Sequence, residues 1–148
     1  MGQIKLTRIQ EEMLAYNTKK KFYLTSDEYI EMYTKFQNEK IKELILDLID
    51  FINVSKKENI YEIKKDVDVI IVANFFIIKH FTSLYDELNG KSTEVHFATM
   101  MELINIGWYA DIISEFETKE MDKVMRVLYN SVDFINNIST ALVEKDGK

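Results

Sequence analysis

Apolar residues recur at helical spacing along most of this chain, and the pattern predicts an all-α fold. In the first predicted helix, Ile4, Ile9 and Met13 return to one face, while Glu11 and Glu12 lie on the other. We expect about five such helices, packed as one bundle. Their predicted bounds are residues 3–16, residues 25–53 with a kink or a junction of two abutting helices near residues 37–40, residues 58–88, residues 92–116 and residues 118–143.

Two short segments have the sequence of a helix capping box. In Thr25-Ser26-Asp27-Glu28, and again in Ser55-Lys56-Lys57-Glu58, a hydroxyl residue is followed by a glutamate at the third position after it. The hydroxyl oxygen of such a box accepts a hydrogen bond from the new helix, and the glutamate reaches back to the capping residue. These segments therefore predict the starts of the second and third helices.

The third predicted helix contains the most apolar segment of the chain. From Val69 to Ile78 only Asn74 is polar. The β-branched run Val67–Val72 also fits a buried strand, but the apolar sequence continues to Phe81, which is too long for one strand. We expect a central helix that is buried on nearly all sides. No linker divides the chain, so we expect one domain over residues 1–148, with residues 144–148 frayed.

Composition agrees with long helices and excludes several kinds of chemistry. The 148 residues include no proline and no cysteine, which excludes disulfides, thiolate zinc sites and a cysteine nucleophile. The net charge is −6 and the only arginines are Arg8 and Arg126, which disfavours a nucleic-acid partner. The longest apolar segment is shorter than the roughly 20 residues that span a bilayer. We therefore expect no membrane partner and a cytoplasmic location.

An acidic stripe on the second predicted helix carries the main candidate chemistry. Glu43, Asp47 and Asp50 follow one another at one-turn spacing, and most other positions of this helix are apolar. Two interpretations are open: the stripe faces water, or its carboxylates bind Mg²⁺ together with substrate phosphates. Asp66 and Asp68, at the start of the next helix, could add a ligand, although acidic residues are favourable near any helix N-terminus.

The order of these segments resembles the all-α nucleoside triphosphate pyrophosphatases, which include the MazG-like proteins and the dimeric dUTPases. Asp47-x-x-Asp50 is similar to the first acidic pair of that family. The segment KKDVDVIIVANFF, residues 64–76, is similar to its second acidic helix, with Asp68 at the final aspartate. The segment LTRIQEEMLAYN, residues 6–17, is similar to the first helix of the dimeric dUTPases.

This resemblance implies a Mg²⁺-dependent enzyme that converts a nucleoside or deoxynucleoside triphosphate to the monophosphate and pyrophosphate. It implies that Asp47, Asp50 and Asp68 bind the metal ion. Lys65 stands where the family has a glutamate, so a degenerate relative is also compatible. The predicted catalytic residues are Glu43, Asp47, Asp50 and Asp68, and the predicted substrate-binding residues are Gln10, Asn17, Lys79 and Arg126.

A second function fits the same pattern: a non-catalytic helical bundle of the phage, viral or immunity type, which acts by binding another protein. The third and fifth predicted helices carry more apolar surface than one small domain can cover, so we expect a homodimer or higher oligomer. His80 and His96 lack metal-ligand spacing, and both are predicted to lie on helix surfaces. Lys79 is predicted to be a surface residue unless it meets a substrate phosphate.

Overall fold

The computed structural model describes residues 2–131, and this part of the chain is mostly helical. It contains more, shorter helices than the sequence pattern predicts, and it also contains a two-stranded sheet. No helix within residues 2–131 is both long enough and apolar enough to cross a bilayer. The elements in chain order are α1 (Leu6–Tyr16), β1 (Lys19–Tyr23), β2 (Tyr29–Tyr33), α2 (Asn38–Glu58), α3 (Asp66–Phe81), α4 (Leu84–Leu88), α5 (Thr93–Ile106), α6 (Trp108–Glu115) and α7 (Thr118–Asn130).

An antiparallel hairpin replaces the first half of the predicted second helix. Strands β1 and β2 pair so that Lys21 lies opposite Glu31. Ile30 and Met32 are buried, while the residues between and beside them are more exposed, and this alternation is the period of a strand. The predicted helix start at residue 25 is therefore wrong, because tertiary packing selects the two-residue period in this segment.

The first capping-box sequence forms the hairpin loop. The Thr25 hydroxyl oxygen accepts a 3.0 Å hydrogen bond from the Glu28 backbone N–H, as it would in a helix cap. The backbone N–H of Leu24, however, donates to the Glu28 carbonyl at 2.9 Å and closes the loop. The hydrogen bond expected of a helix cap thus stabilises a turn here, because Ser, Thr and Asp side chains hydrogen-bond to nearby backbone both in turns and at helix N-termini.

The second capping-box sequence is the last turn of a helix rather than the first. Helix α2 runs without interruption from Asn38 to Glu58, so it contains Ser55. It ends at Asn59, whose left-handed backbone (φ 54°) is a common helix stop. The predicted kink at residues 37–40 is instead the point where α2 begins.

The predicted helix 58–88 is shorter than expected and is divided. Helix α3 begins at Asp66, and α3 and α4 are separated at Thr82, which forms a β-bridge with Met32. Burial along α3 is uneven: Val67 and Ile70 are exposed, whereas Phe75–Phe81 are all buried. The prediction of a helix buried on nearly all sides therefore holds only for its C-terminal half.

The C-terminal helices are also divided. The predicted helix 92–116 breaks at Gly107, whose backbone has φ 88° and separates α5 from α6; glycine adopts this conformation at no steric cost. Helix α7 begins at Thr118, as predicted. The predicted continuation of this helix to residue 143 and the predicted frayed tail, residues 144–148, lie outside the described residues.

The core lies mainly between α2 and α3, with β2 and the later helices packed around them. Phe36, which follows β2, stacks on Phe81 of α3 with ring centroids 3.8 Å apart, and Phe116 meets the edge of the Phe36 ring. Val124 and Leu128 bring α7 into the same core. Helix α1, by contrast, contributes no buried residue.

Candidate functional site

Asp47, in the middle of the acidic stripe, contacts two cationic or ionisable side chains of α3. Its Oδ2 lies 2.5 Å from Lys79 Nζ and 2.8 Å from His80 Nε2. Lys79 is 2% exposed and His80 is 4% exposed, so the prediction that both lie at the surface is wrong. They are buried because this end of α3 packs against α2, and Asp47 supplies the counter-charge that a buried ammonium requires.

The Asp47 carboxyl group is held in its ionised form. Partial burial alone would raise its pKa, but the hydrogen bonds from His80 and Lys79 outweigh burial and lower the pKa below the ordinary value. An ionised carboxylate can only accept hydrogen bonds, so the His80 Nε2 carries a proton and donates it to Asp47. The three side chains therefore join α2 to α3 through charge-assisted hydrogen bonds.

A second buried histidine lies on the other side of this cluster. His96 of α5 donates from Nδ1 to the Ser92 carbonyl at 2.8 Å, because a carbonyl can only accept. Burial lowers the pKa of His96, and its buried Nε2 has no hydrogen-bond partner among residues 2–131. A cavity of about 30 Å³ adjoins it; the lining residues are Asp47, Asp50, Phe51, Phe76, Lys91, Thr93 and His96.

The other predicted metal ligands are in different surroundings. Glu43 and Asp50 are exposed on α2, while the Asp68 carboxylate caps α3 by accepting from the backbone N–H groups of Lys64 and Lys65 at 2.9 and 3.0 Å. Within residues 2–131 no three Asp, Glu or His side chains are placed to hold a metal ion together. The predicted ligand set is thus not assembled as one site, and Mg²⁺ binding stays a prediction.

The predicted substrate-binding residues are also dispersed. Lys79 does meet a predicted catalytic carboxylate, that of Asp47. Gln10 is exposed on α1 and Arg126 is exposed on α7. The Asn17 side-chain oxygen accepts a 3.0 Å hydrogen bond from Gln37, which fastens the end of α1 to the start of α2.

Sequence reasoning missed the histidines of this cluster. His80 and Asp47 are separated by 33 positions, and only tertiary packing brings them together. One signal was available: Lys79 and His80 are adjacent polar residues inside an otherwise apolar run that ends at Phe81. Buried polar groups need partners, so such a pair points to an acidic residue on the facing helix.

Helix α1 presents the second candidate site, an exposed apolar surface. We call this surface the α1 apolar face. It comprises Ile4, just before the helix, and Leu6, Ile9, Met13 and Leu14, each of which is exposed. Singly exposed apolar residues are ordinary, but a contiguous group marks an interaction surface.

The α1 apolar face ends in a groove where the helix meets the rest of the molecule. Met13, Tyr16, Gln37, Asn38 and Glu39 line this groove, which has a volume of about 330 Å³. The Tyr16 ring also receives the Lys123 ammonium at 5.2 Å from its centroid. Helix α1 is therefore attached at its C-terminal end, while its N-terminal end extends into solvent.

Comparison with known proteins gives one family match. The YomO family model matches residues 6–147. The chain belongs to the YomO family. No curated protein and no solved structure matches it significantly. The YomO match begins at Leu6, the first residue of α1, so the helix that carries the exposed apolar face is part of the family region.

Proposed function

We propose that this protein acts by protein–protein interaction rather than by catalysis, that the α1 apolar face is its contact surface, and that a second copy of the chain occupies that surface. One observation carries the proposal: α1 contains several large apolar side chains, and most of them are exposed because no residue of this helix is buried. A partner that covered this face would remove several large apolar side chains from water.

The length of α1 supports the proposal. An isolated helix shorter than about 12 residues is marginal in water, because nucleation is costly and few hydrogen bonds repay it. Helix α1 has 11 residues, so propensity alone does not maintain it. Each fully buried Leu, Ile or Met side chain contributes about 1.5–3 kcal/mol, and a partner helix would provide that burial.

The state of the acidic residues supports interaction over hydrolysis. The Asp47 carboxylate is already paired with the Lys79 ammonium and accepts a hydrogen bond from His80. Asp68 accepts two backbone hydrogen bonds at the start of α3. Both carboxylates therefore have structural roles that need no metal ion.

Sedimentation velocity on a Leu6→Ser variant tests the proposal. Leu46, on α2, is 68% exposed and Leu6 is 75% exposed, so Leu46→Ser is a matched control outside the α1 apolar face. We expect a dimer at micromolar concentration for the unmodified protein and for Leu46→Ser. The dissociation constant of the Leu6→Ser dimer should be at least about tenfold higher, which corresponds to about 1.4 kcal/mol. A monomeric unmodified protein would overturn the proposal.

Nucleoside triphosphate hydrolysis stays as a second candidate, because Asp47 and Asp50 adjoin one cavity together with the unpartnered His96 Nε2. The test is turnover of deoxynucleoside triphosphates to monophosphate and pyrophosphate with Mg²⁺ or Mn²⁺, before and after Asp50→Asn. Asp50 is exposed, so the substitution should disturb the fold little. Turnover that Asp50→Asn abolishes would support this candidate, and absence of turnover would reject it.

A further inference from the structure

The charges of α1 are arranged against its own helix dipole. Lys5 is the N-cap residue and Arg8 lies in the first turn, whereas Glu11 and Glu12 lie in the second half of the helix. A helix is stabilised by acidic residues near its N-terminus and basic residues near its C-terminus, and α1 has neither in its terminal turns. Arg8 and Glu12 pair within the helix, but both are largely exposed, so this pair contributes little.

The same charges are favourable beside an antiparallel copy of the helix. We infer that two copies of the chain pair through antiparallel α1 helices, and that Ile4 of each copy enters the groove at Met13 of the other. This inference rests on the proposed function, since it specifies how the second copy covers the α1 apolar face. In this arrangement the basic end of each helix lies along the acidic end of its neighbour, and the two dipoles oppose each other.

Helix geometry specifies the alignment. Lys5 and Glu12 are about two turns apart, so they lie along the same edge of the helix. Across a two-fold axis, antiparallel helices bring this edge against itself, and Lys5 of each copy then faces Glu12 of the other. Because the interface is isologous, the pair forms twice. A parallel arrangement would instead place the two Lys5–Glu12 edges on opposite flanks of the interface, where they could not pair with each other.

The alignment that pairs Lys5 with Glu12 also places Ile4 opposite Met13. Met13 lines the groove of about 330 Å³ at the start of α2, and Ile4 is 72% exposed. Ile4, one of the most exposed apolar residues of the α1 apolar face, therefore meets Met13 in the groove of the other copy. Glu39 at the groove rim is an exposed carboxylate with a long 4.0 Å ion pair to Lys42, so it can offer a second opposite charge to Lys5, which lies beside Ile4.

Disulfide cross-linking tests the alignment directly, because the chain contains no cysteine. The probes are Ile4→Cys and Met13→Cys, each oxidised alone and as an equimolar mixture. Two cysteines can be joined only when their Cα atoms approach to about 4.4–6.8 Å. We expect a covalent dimer in the mixture and none from either variant alone. Ile4→Cys mixed with Leu46→Cys is the control and should give none.

Charge reversal provides an independent readout. Lys5→Glu alone and Glu12→Lys alone should each weaken the dimer about tenfold, since each replaces two attractions by two repulsions. The double variant should restore the dimer, which a general loss of helix stability would not do. Circular dichroism of each variant verifies that α1 is retained.

The possible results separate this inference from the proposed function. Covalent dimers from each single-cysteine variant by itself would indicate parallel pairing and overturn the inference. A sedimenting dimer that Leu6→Ser weakens, but without cross-links in the mixture, would overturn the antiparallel alignment and leave α1 as the contact surface. A monomer would overturn both the inference and the proposed function.

Discussion

The Glu120 carboxylate of α7 accepts a 2.8 Å hydrogen bond from the backbone N–H of Phe36, a residue 84 positions earlier in the chain. Lys123, one turn further along α7, completes the contact by donating to the Phe36 carbonyl at 2.9 Å and pairing with Glu120 at 2.8 Å. Two side chains of one helix thus satisfy both backbone groups of a buried residue. Burial would raise the pKa of Glu120, but these hydrogen bonds lower it.

Removal of this contact should be costly. Glu120→Ala leaves the Phe36 N–H buried without an acceptor and Lys123 without its counter-charge, so we expect a loss of about 2–4 kcal/mol in the free energy of unfolding. Glu117→Ala is the control, because the Glu117 side chain forms an exposed ion pair with Lys35, and its loss should cost less than about 1 kcal/mol. Urea denaturation measures both. Equal losses of stability for Glu120→Ala and Glu117→Ala would contradict a structural role for the Glu120–Phe36 contact.

Asp47→Asn separates the structural role of this residue from the predicted metal site. If Asp47, Asp50 and Asp68 converged, the substitution would relieve repulsion and leave the metal-free protein equally or more stable. The observed ion pair predicts the opposite, because Lys79 would remain buried without a counter-charge. We expect a loss of about 2 kcal/mol or more for Asp47→Asn, and a change within about 0.5 kcal/mol for the exposed Asp50→Asn. Thermal and urea unfolding report both values.

Stability should fall as the solution becomes acidic, in two stages. The pKa of His96 is lowered by burial from 6.5, so the folded state favours the neutral ring. Stability from this residue is complete above pH 6.5 and declines as the pH falls towards the folded pKa. The pKa values of Asp47 and Glu120 are lowered from 3.8 and 4.5. Their contributions are present above those values and are lost as the pH falls through the folded pKa values.

Urea midpoints measured from about pH 8 to about pH 3 follow both stages. His96→Gln should remove the decline that begins as the pH falls below 6.5 while leaving the decline at lower pH that comes from Asp47 and Glu120. A flat profile down to about pH 4.5 in the unmodified protein would contradict the burial of a neutral His96.

The hairpin loop provides a test of the fold itself. Thr25 Oγ1 accepts from the backbone N–H groups of Asp27 and Glu28 at 3.4 and 3.0 Å. Thr25→Ala should therefore cost about 0.5–1.5 kcal/mol. Ser26→Ala removes only an exposed contact to Asp27 and should cost less. If residues 25–33 were helical, as their sequence suggests, Ala at position 25 would remove a helix cap and lower the helical circular dichroism signal; in the hairpin that signal stays unchanged.

Much of the helical framework could be predicted, because apolar periodicity reports directly on burial along α2 and α7. Helix α3 was predicted instead from the length of its apolar run, which does not show which of its sides are buried. The hairpin could not, since Tyr29–Tyr33 fits a helical face almost as well as an alternating strand, and the choice depends on pairing with β1. Asp47 was found from its position on the stripe. Its partners Lys79 and His80 were not assigned to it, because no local pattern encodes a contact between two helices.

The contact between α7 and Phe36 also bears on synthesis of the chain. A ribosome releases the hairpin and α2 first, but the side chains of Glu120 and Lys123, which bind the Phe36 backbone in the folded protein, follow much later. Val124 and Leu128 of α7 then complete the core. The N-terminal part of the protein must therefore remain incompletely packed during translation, with its apolar surface open to chaperones until nearly all of the described chain has emerged.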